Sequence, residues 1–239
     1  MSRGHSVESS IRLYLEHLPQ IRTLLDRLQM PFYYHNPLFY ISHFATDPSW
    51  FIEPFHGCLR VNTPEWTSVL PLSEDRAVLM RAVGISVRDG RPVLRLPGWM
   101  EHLFPGMSMA ALWPDYVGDT AALQRMEGRK LKGLRQPIQR LERSGRARVL
   151  RLGERQEEQS TALVRLWYRQ RAPILGEMFQ EPEITWLFSN LGWLSRELPG
   201  SFGIGVEVDG ALVAVNLSCL LTDCVWVCHT ERYDNRAPT

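Results

Sequence analysis

Hydrophobic residues follow a helical period at the start of the chain and a strand period at its end. Ile11, Tyr14, Leu15, Leu18, Ile21, Leu25 and Leu28 recur at helical spacing and predict a helix over 8–29, with Ser6, Ser9 and Ser10 as available caps. Pro19 lacks the N–H that would close a helical turn, so a kink or a split into two short helices is expected there. From Phe32 to Trp66 the pattern dissolves into a stretch holding ten of the 24 aromatic residues. Pro31 just before it and Pro37, Pro48, Pro54 and Pro64 within it argue against long regular elements, and its aromatic side chains read as core. A short helix is predicted over Glu74–Arg81. Gly84–Val87 and Val93–Leu96 flank Arg88-Asp89-Gly90-Arg91-Pro92 and predict a hairpin.

Beyond residue 119 the periods are clearer. Asp119 is placed to cap a helix through Leu131 that continues, with interruption, to about Arg143, and Pro137 predicts a bend near Gln136. Val149–Leu152 reads as a strand. Glu157–Arg171 and Glu183–Leu198 carry amphipathic patterns, with Leu163, Leu166 and Trp167 in the first and Ile184, Leu187, Leu191 and Leu194 in the second. Phe202–Tyr233 then reads as three antiparallel strands. Val206, Val208, Val213 and Val215 supply β-branched residues, Asp209-Gly210 is a type I′ turn, and Thr222-Asp223 is a second turn. Mixed elements followed by two helices and a meander define an α+β fold without the βαβ alternation of doubly wound proteins.

Composition adds few constraints. A hydrophobic share of 44% and a charged share of 22% fit an ordinary globular chain. The longest apolar run, Ala211–Thr222, is shorter than the roughly 18 residues a membrane helix needs, and Met1–Ser10 has no signal-peptide core, so a cytoplasmic location is expected. Charge is more telling. A net charge of +1 conceals ten basic and two acidic residues between Arg125 and Arg151, a local +8 that would attract phosphates. Lys130 and Lys132, the chain's two lysines, both lie in this segment.

Candidate chemistry gathers where the last strand ends, at His229, Glu231 and Arg232. Two residues apart on a strand, His229 and Glu231 are expected on one side, where the carboxylate would raise the basicity of the imidazole. Of the four cysteines, Cys219, Cys224 and Cys228 fall in the meander. None forms a CxxC knuckle, and they read as thiols rather than metal ligands.

One stretch goes beyond pattern. Asp115-Tyr116-Val117-Gly118-Asp119-Thr120, then Leu123, then Gly128-Arg129-Lys130-Leu131-Lys132-Gly133-Leu134-Arg135, then Ile138 and Arg140, resembles a signature of the phosphatidylglycerol lysyltransferase C-terminal-like family. Trp167, Val208–Ala214 and His229-Thr230-Glu231-Arg232 resemble later landmarks of that family. The resemblance implies two GNAT-like (N-acetyltransferase-like) halves in tandem, 1–113 and 114–239, with mixed or antiparallel central sheets and flanking helices. It implies an acyl or aminoacyl transferase that uses an aminoacyl-tRNA or acyl-CoA donor and passes the group to an amine or hydroxyl, such as a lipid head group. Glu231 or His229 would then be the base, and Arg129, Lys130, Lys132 and Arg135 would grip phosphates.

Two departures from the family pattern shape the alternatives. Arg135-Gln136-Pro137 replaces an Arg-Asn pair, and the chain ends eight residues after Glu231, where a complete GNAT-like half would continue into a donor-binding helix. The second half is therefore expected to be incomplete, this chain alone inactive, and its last strand an exposed edge prone to self-association. A non-catalytic module binding phosphate or nucleic acid, and an inactive remnant of the family, stand as the competing readings.

Overall fold

The computed structural model describes residues 6–30, 35–94, 96–97, 99–100, 120–125, 132–175 and 181–234. Helix α1 runs unbroken from Val7 to Arg27 with Ser6 as its cap, so the split expected at Pro19 does not occur. A proline inside a helix costs about 3 kcal/mol, whereas each large apolar side chain buried returns about 1.5–3 kcal/mol. Tyr14, Leu18, Ile21 and Leu25 are all buried on one face of α1, on both sides of the proline, and their burial outweighs it.

Of the aromatic stretch, Phe39, Tyr40 and Phe44 are core and Trp50, Phe55 and Trp66 pack against it, and its described part is more regular than its prolines suggested. Asn36 caps helix α2 (Pro37–Thr46), with proline at the first helical position where its missing N–H costs nothing. Tyr40 stacks with Phe44 and packs on Tyr14. Strands β1 (Phe51–Phe55), β2 (Cys58–Asn62) and β3 (Thr67–Pro71) form an antiparallel sheet in the order β1-β2-β3. Pro54 and Pro71 sit on its two outer strands, where a strand tolerates a lost donor.

Helix α3 spans Arg76–Arg88, capped by Asp75. It absorbs Gly84–Val87, so the hairpin expected across Arg88–Pro92 is instead a helix end followed by a turn. Val93 makes only an isolated parallel bridge to Thr67. A short apolar run is compatible with either period, and the buried face formed by Leu79, Ala82, Val83 and Ser86 decides for the helix.

Helices α4 (Thr120–Arg125) and α5 (Lys132–Ser144) follow, and α5 continues through Pro137. Strand β4 (Ala147–Leu152) and a 3-10 turn at Glu154–Gln156 lead into α6 (Glu157–Leu175). The helix expected over 183–198 is two, α7 (Glu181–Phe188) and α8 (Leu191–Glu197), separated at Ser189-Asn190. The meander is present as read: β5 (Ser201–Val208), β6 (Ala211–Leu220) and β7 (Trp226–Tyr233), joined to β4 in the antiparallel order β4-β5-β6-β7. Asp209 and Gly210 have φ of 51° and 82°, as a type I′ turn requires. In this order β7 is an edge strand among the described residues.

One hydrophobic cluster joins both sheets. It runs from α1 and α2 through Leu59, Val61 and Leu70 to Leu187, Phe188, Val215 and Leu217. Polar ties cross the same region: the buried Arg22 donates from Nη1 to the Pro199 carbonyl at 2.8 Å. The expected boundary at residues 113 and 114 lies outside the described residues. No helix among the described residues is long and apolar enough to cross a membrane.

Candidate functional site

A bulge in β7 determines where its polar residues point. Leu217 pairs with Thr230 and Ser218 with Cys228, which leaves His229 as an extra residue between the two pairs. The burial sequence from Cys228 to Glu231 is therefore exposed, buried, buried, exposed. His229 points into the protein and Glu231 out of it. The expectation that the two share a side fails because an extra residue reverses the alternation, a feature that spacing in sequence cannot reveal.

Inside the fold, His229 is 7% exposed and meets Asn36, which is 0% exposed. The orientation of the Asn36 amide is set by α2: its Oδ1 accepts the Leu38 N–H at 2.9 Å, as a helix cap, and the Cys219 thiol at 3.2 Å. Its Nδ2 is thereby directed at His229 Nδ1, at 2.7 Å. A ring nitrogen that accepts from an amide carries no proton, so His229 is neutral with its proton on Nε2. Burial, followed by electrostatic repulsion from His43 and Arg232, lowers its pKa to about 3. Burial likewise pushes the Cys219 thiol up to about 12, which keeps it a donor. Asn36 thus links α2, β6 and β7. Its position before a proline is legible as a cap, but nothing in sequence connects it to a residue 193 positions away.

On the outer face, Asn216 organises a polar group. Its Nδ2 donates to Glu231 Oε1 at 3.3 Å and to Cys228 Sγ at 2.9 Å, while the Ser218 hydroxyl donates to Asn216 Oδ1 at 2.8 Å. Partial burial, then the Glu231 charge, raises the pKa of Cys228, so it stays a thiol. Apolar side chains share this face. Phe202 and Trp226 meet edge to face at 5.0 Å, and Ile204 is exposed beside Asn216. Arg232 belongs to the opposite face. It lies over Trp167 at 4.2 Å and donates to Tyr168 Oη at 3.1 Å and to the Glu231 carbonyl at 2.7 Å. Burial raises the Tyr168 pKa, and Arg232 partly opposes it.

Strand register extends the outer site. Arg151, Ile204, Asn216 and Glu231 are successive partners across β4, β5, β6 and β7, and partners share a face. Three strand spacings of about 4.8 Å place Arg151 about 14 Å from Glu231. The exposed Arg151 is a cation of this face that the sequence placed on a strand without singling it out. Of the predicted phosphate-gripping residues, Arg135 is half-buried on α5, Lys132 opens α5, and Arg129 and Lys130 lie outside the described residues. Helix α5 leads into β4, the strand farthest from Glu231 in the sheet. No group of three or more His, Cys, Asp and Glu side chains among the described residues is placed to hold a metal ion.

Fold and site together define an α+β protein with a carboxylate–amide–thiol group on the outer face of a four-stranded antiparallel sheet. The family model described as "Phosphatidylglycerol lysyltransferase, C-terminal" matches residues 95–239, and the chain belongs to this family. A solved structure from Bacteroides thetaiotaomicron VPI-5482, titled a conserved protein of unknown function, superposes with a TM-score of 0.72 over 97% of this chain and 79% of its own. At 13% identity that likeness concerns the fold alone. Among curated proteins no sequence matches the chain.

Proposed function

We propose that the protein is a cytoplasmic acyl or aminoacyl transferase, built as two GNAT-like halves that meet near Trp113-Pro114, with Glu231 as its base. The observation that carries this reading is the outward carboxylate of Glu231, held by Asn216, in a chain of this family. An acceptor amine or hydroxyl gives its proton to Glu231 as its lone pair attacks the donor carbonyl. The C–O bond of an ester, or the C–S bond of a thioester, then breaks, and Glu231 returns the proton to the departing alcohol or thiol. His229 does not serve as a second base, because it is buried and accepts from Asn36 at the nitrogen that would need to take the proton. Its part is to hold β7 against α2.

Arg151 and the cations of the α5 segment hold donor phosphates at a distance from the reacting carbonyl. A span of about 14 Å across the sheet suits a long donor such as aminoacyl-tRNA or a CoA thioester, whose phosphates and ester are far apart. The local charge of +8 also supports a second reading, a phosphate-binding module without catalysis. Incubation with a panel of aminoacyl-tRNAs and acyl-CoAs, with phosphatidylglycerol vesicles or a free diamine as acceptor, separates the two. Transfer from one donor class is expected, against the inactivity that the sequence suggested. Steeply salt-dependent RNA binding with no transfer from any donor would favour the binding module.

A further inference from the structure

Helix α1 carries two apolar stripes, one buried in the core and one packed only partly against it. Tyr14, Leu18, Ile21 and Leu25 face inward and are buried. Val7, Ile11 and Leu15, spaced four residues apart, form the second stripe, and it lines a groove of about 810 Å³ against α7 and α8. The opposite wall holds Trp186 and Trp193, which meet edge to face at 5.7 Å and are only half-buried. From Val7 to Leu15 the stripe extends about 12 Å, a little over two helical turns. Such a trough between two helices matches the apolar face of a third, whose anchors at i, i+4 and i+7 repeat over the same length.

The rim specifies the charge of the occupant. Among the described residues that line the groove, Glu8, Glu16 and Glu197 stand beside one cation, Arg12, which pairs with Glu8 at 3.5 Å with both side chains largely exposed. An exposed pair of this kind holds its partner weakly, so the rim keeps a negative balance. Tryptophan faces attract cations as well. Acidic rim and aromatic floor disfavour nucleic acid and anionic membrane, and they favour lysine and arginine flanking an apolar stripe.

We propose that the groove between α1 and α7–α8 is a docking site for a basic amphipathic helix of a partner protein. It lies apart from the Glu231 face and does not depend on the transferase reading. The probe is a labelled helix-forming peptide of about 15 residues, with leucines at i, i+4 and i+7 and lysines beside them. Its counterpart replaces every lysine with glutamate. The lysine peptide is expected to bind saturably to the full chain, with affinity falling as salt rises, and the glutamate peptide is not. Glu16→Lys with Glu197→Lys changes only exposed residues and should weaken binding roughly tenfold or more, as should Trp193→Ala. Circular dichroism of each variant confirms its fold before binding is read. Equal binding of both peptides, binding indifferent to these substitutions, no saturable binding of the lysine peptide, or attachment to phosphatidylglycerol vesicles through this face would each overturn the proposal.

Discussion

Lowering the pH from about 7 to about 5 should expose the neutrality of His229 as a loss of stability. The imidazole ionises near 6.5 in the unfolded chain and, buried against Asn36, only near 3 in the folded one. Between these values the unfolded chain binds a proton that the folded chain does not, so stability rises with pH across the window and is lost as pH falls through it. With those two values the loss between about pH 7 and about pH 5 is about 2 kcal/mol. Other titrating groups contribute too, so the wild type needs a non-titrating comparator. His229→Asn places an amide oxygen near the position of Nδ1, where it accepts from Asn36 Nδ2 and takes up no proton. The variant loses ring volume and should be less stable at neutral pH. Its decrement between the two pH values should nevertheless be about 2 kcal/mol smaller than that of the wild type. Urea unfolding of both proteins at both pH values measures this directly. Parallel decrements would refute the neutral, amide-bound imidazole, and with it the exclusion of His229 from proton transfer.

Further expectations follow from the same geometry. Asn36→Ala removes a helix cap and leaves the buried His229 nitrogen without its donor, a combined cost of about 2–4 kcal/mol in chemical denaturation. Asn36→Asp keeps the cap but presents an anion to Nδ1, so the imidazole resonances should titrate at higher pH than in the wild type. A Cβ at Gly203 would stand 2.9 Å from Leu152 Cβ, whereas one at Gly205 meets the flexible ends of Leu152, Leu212 and Leu150. Gly203→Ala should therefore lower the melting temperature more than Gly205→Ala, each costing about 1–3 kcal/mol. Changing Lys130, Lys132 and Arg135 together to Gln should flatten the salt dependence of RNA binding by roughly 0.9 in log–log slope for each phosphate no longer neutralised, while an unchanged slope would return these residues to a solvated face.

How far the sequence carried depended on how local each feature was. The β5–β6 hairpin was legible because Asp209-Gly210 must adopt positive φ between two β-branched runs. The continuity of α1 was not, because the burial that outweighs Pro19 comes from partners distant in the chain. Pro54 disguised a strand that stands at a sheet edge, where proline is harmless. Gly84–Val87 is too short a run to betray its period. At the site, His229 and Glu231 were found by residue type and position at a strand end, but the bulge that parts them leaves no mark in the sequence. Asn216, Cys228 and Arg151 join the site only through strand register, and Asn36 joins it only through tertiary packing.

The assignment of Glu231 as the base is tested most directly by Glu231→Gln in a single-turnover transfer assay run alongside thermal unfolding. Glu231 is exposed, and the amide keeps its shape and an oxygen for Asn216 Nδ2, so the melting temperature should stay within about a degree or two of the wild type. Turnover with the donor identified in the panel should fall by roughly two to four powers of ten. A variant equally stable and fully active would contradict the account.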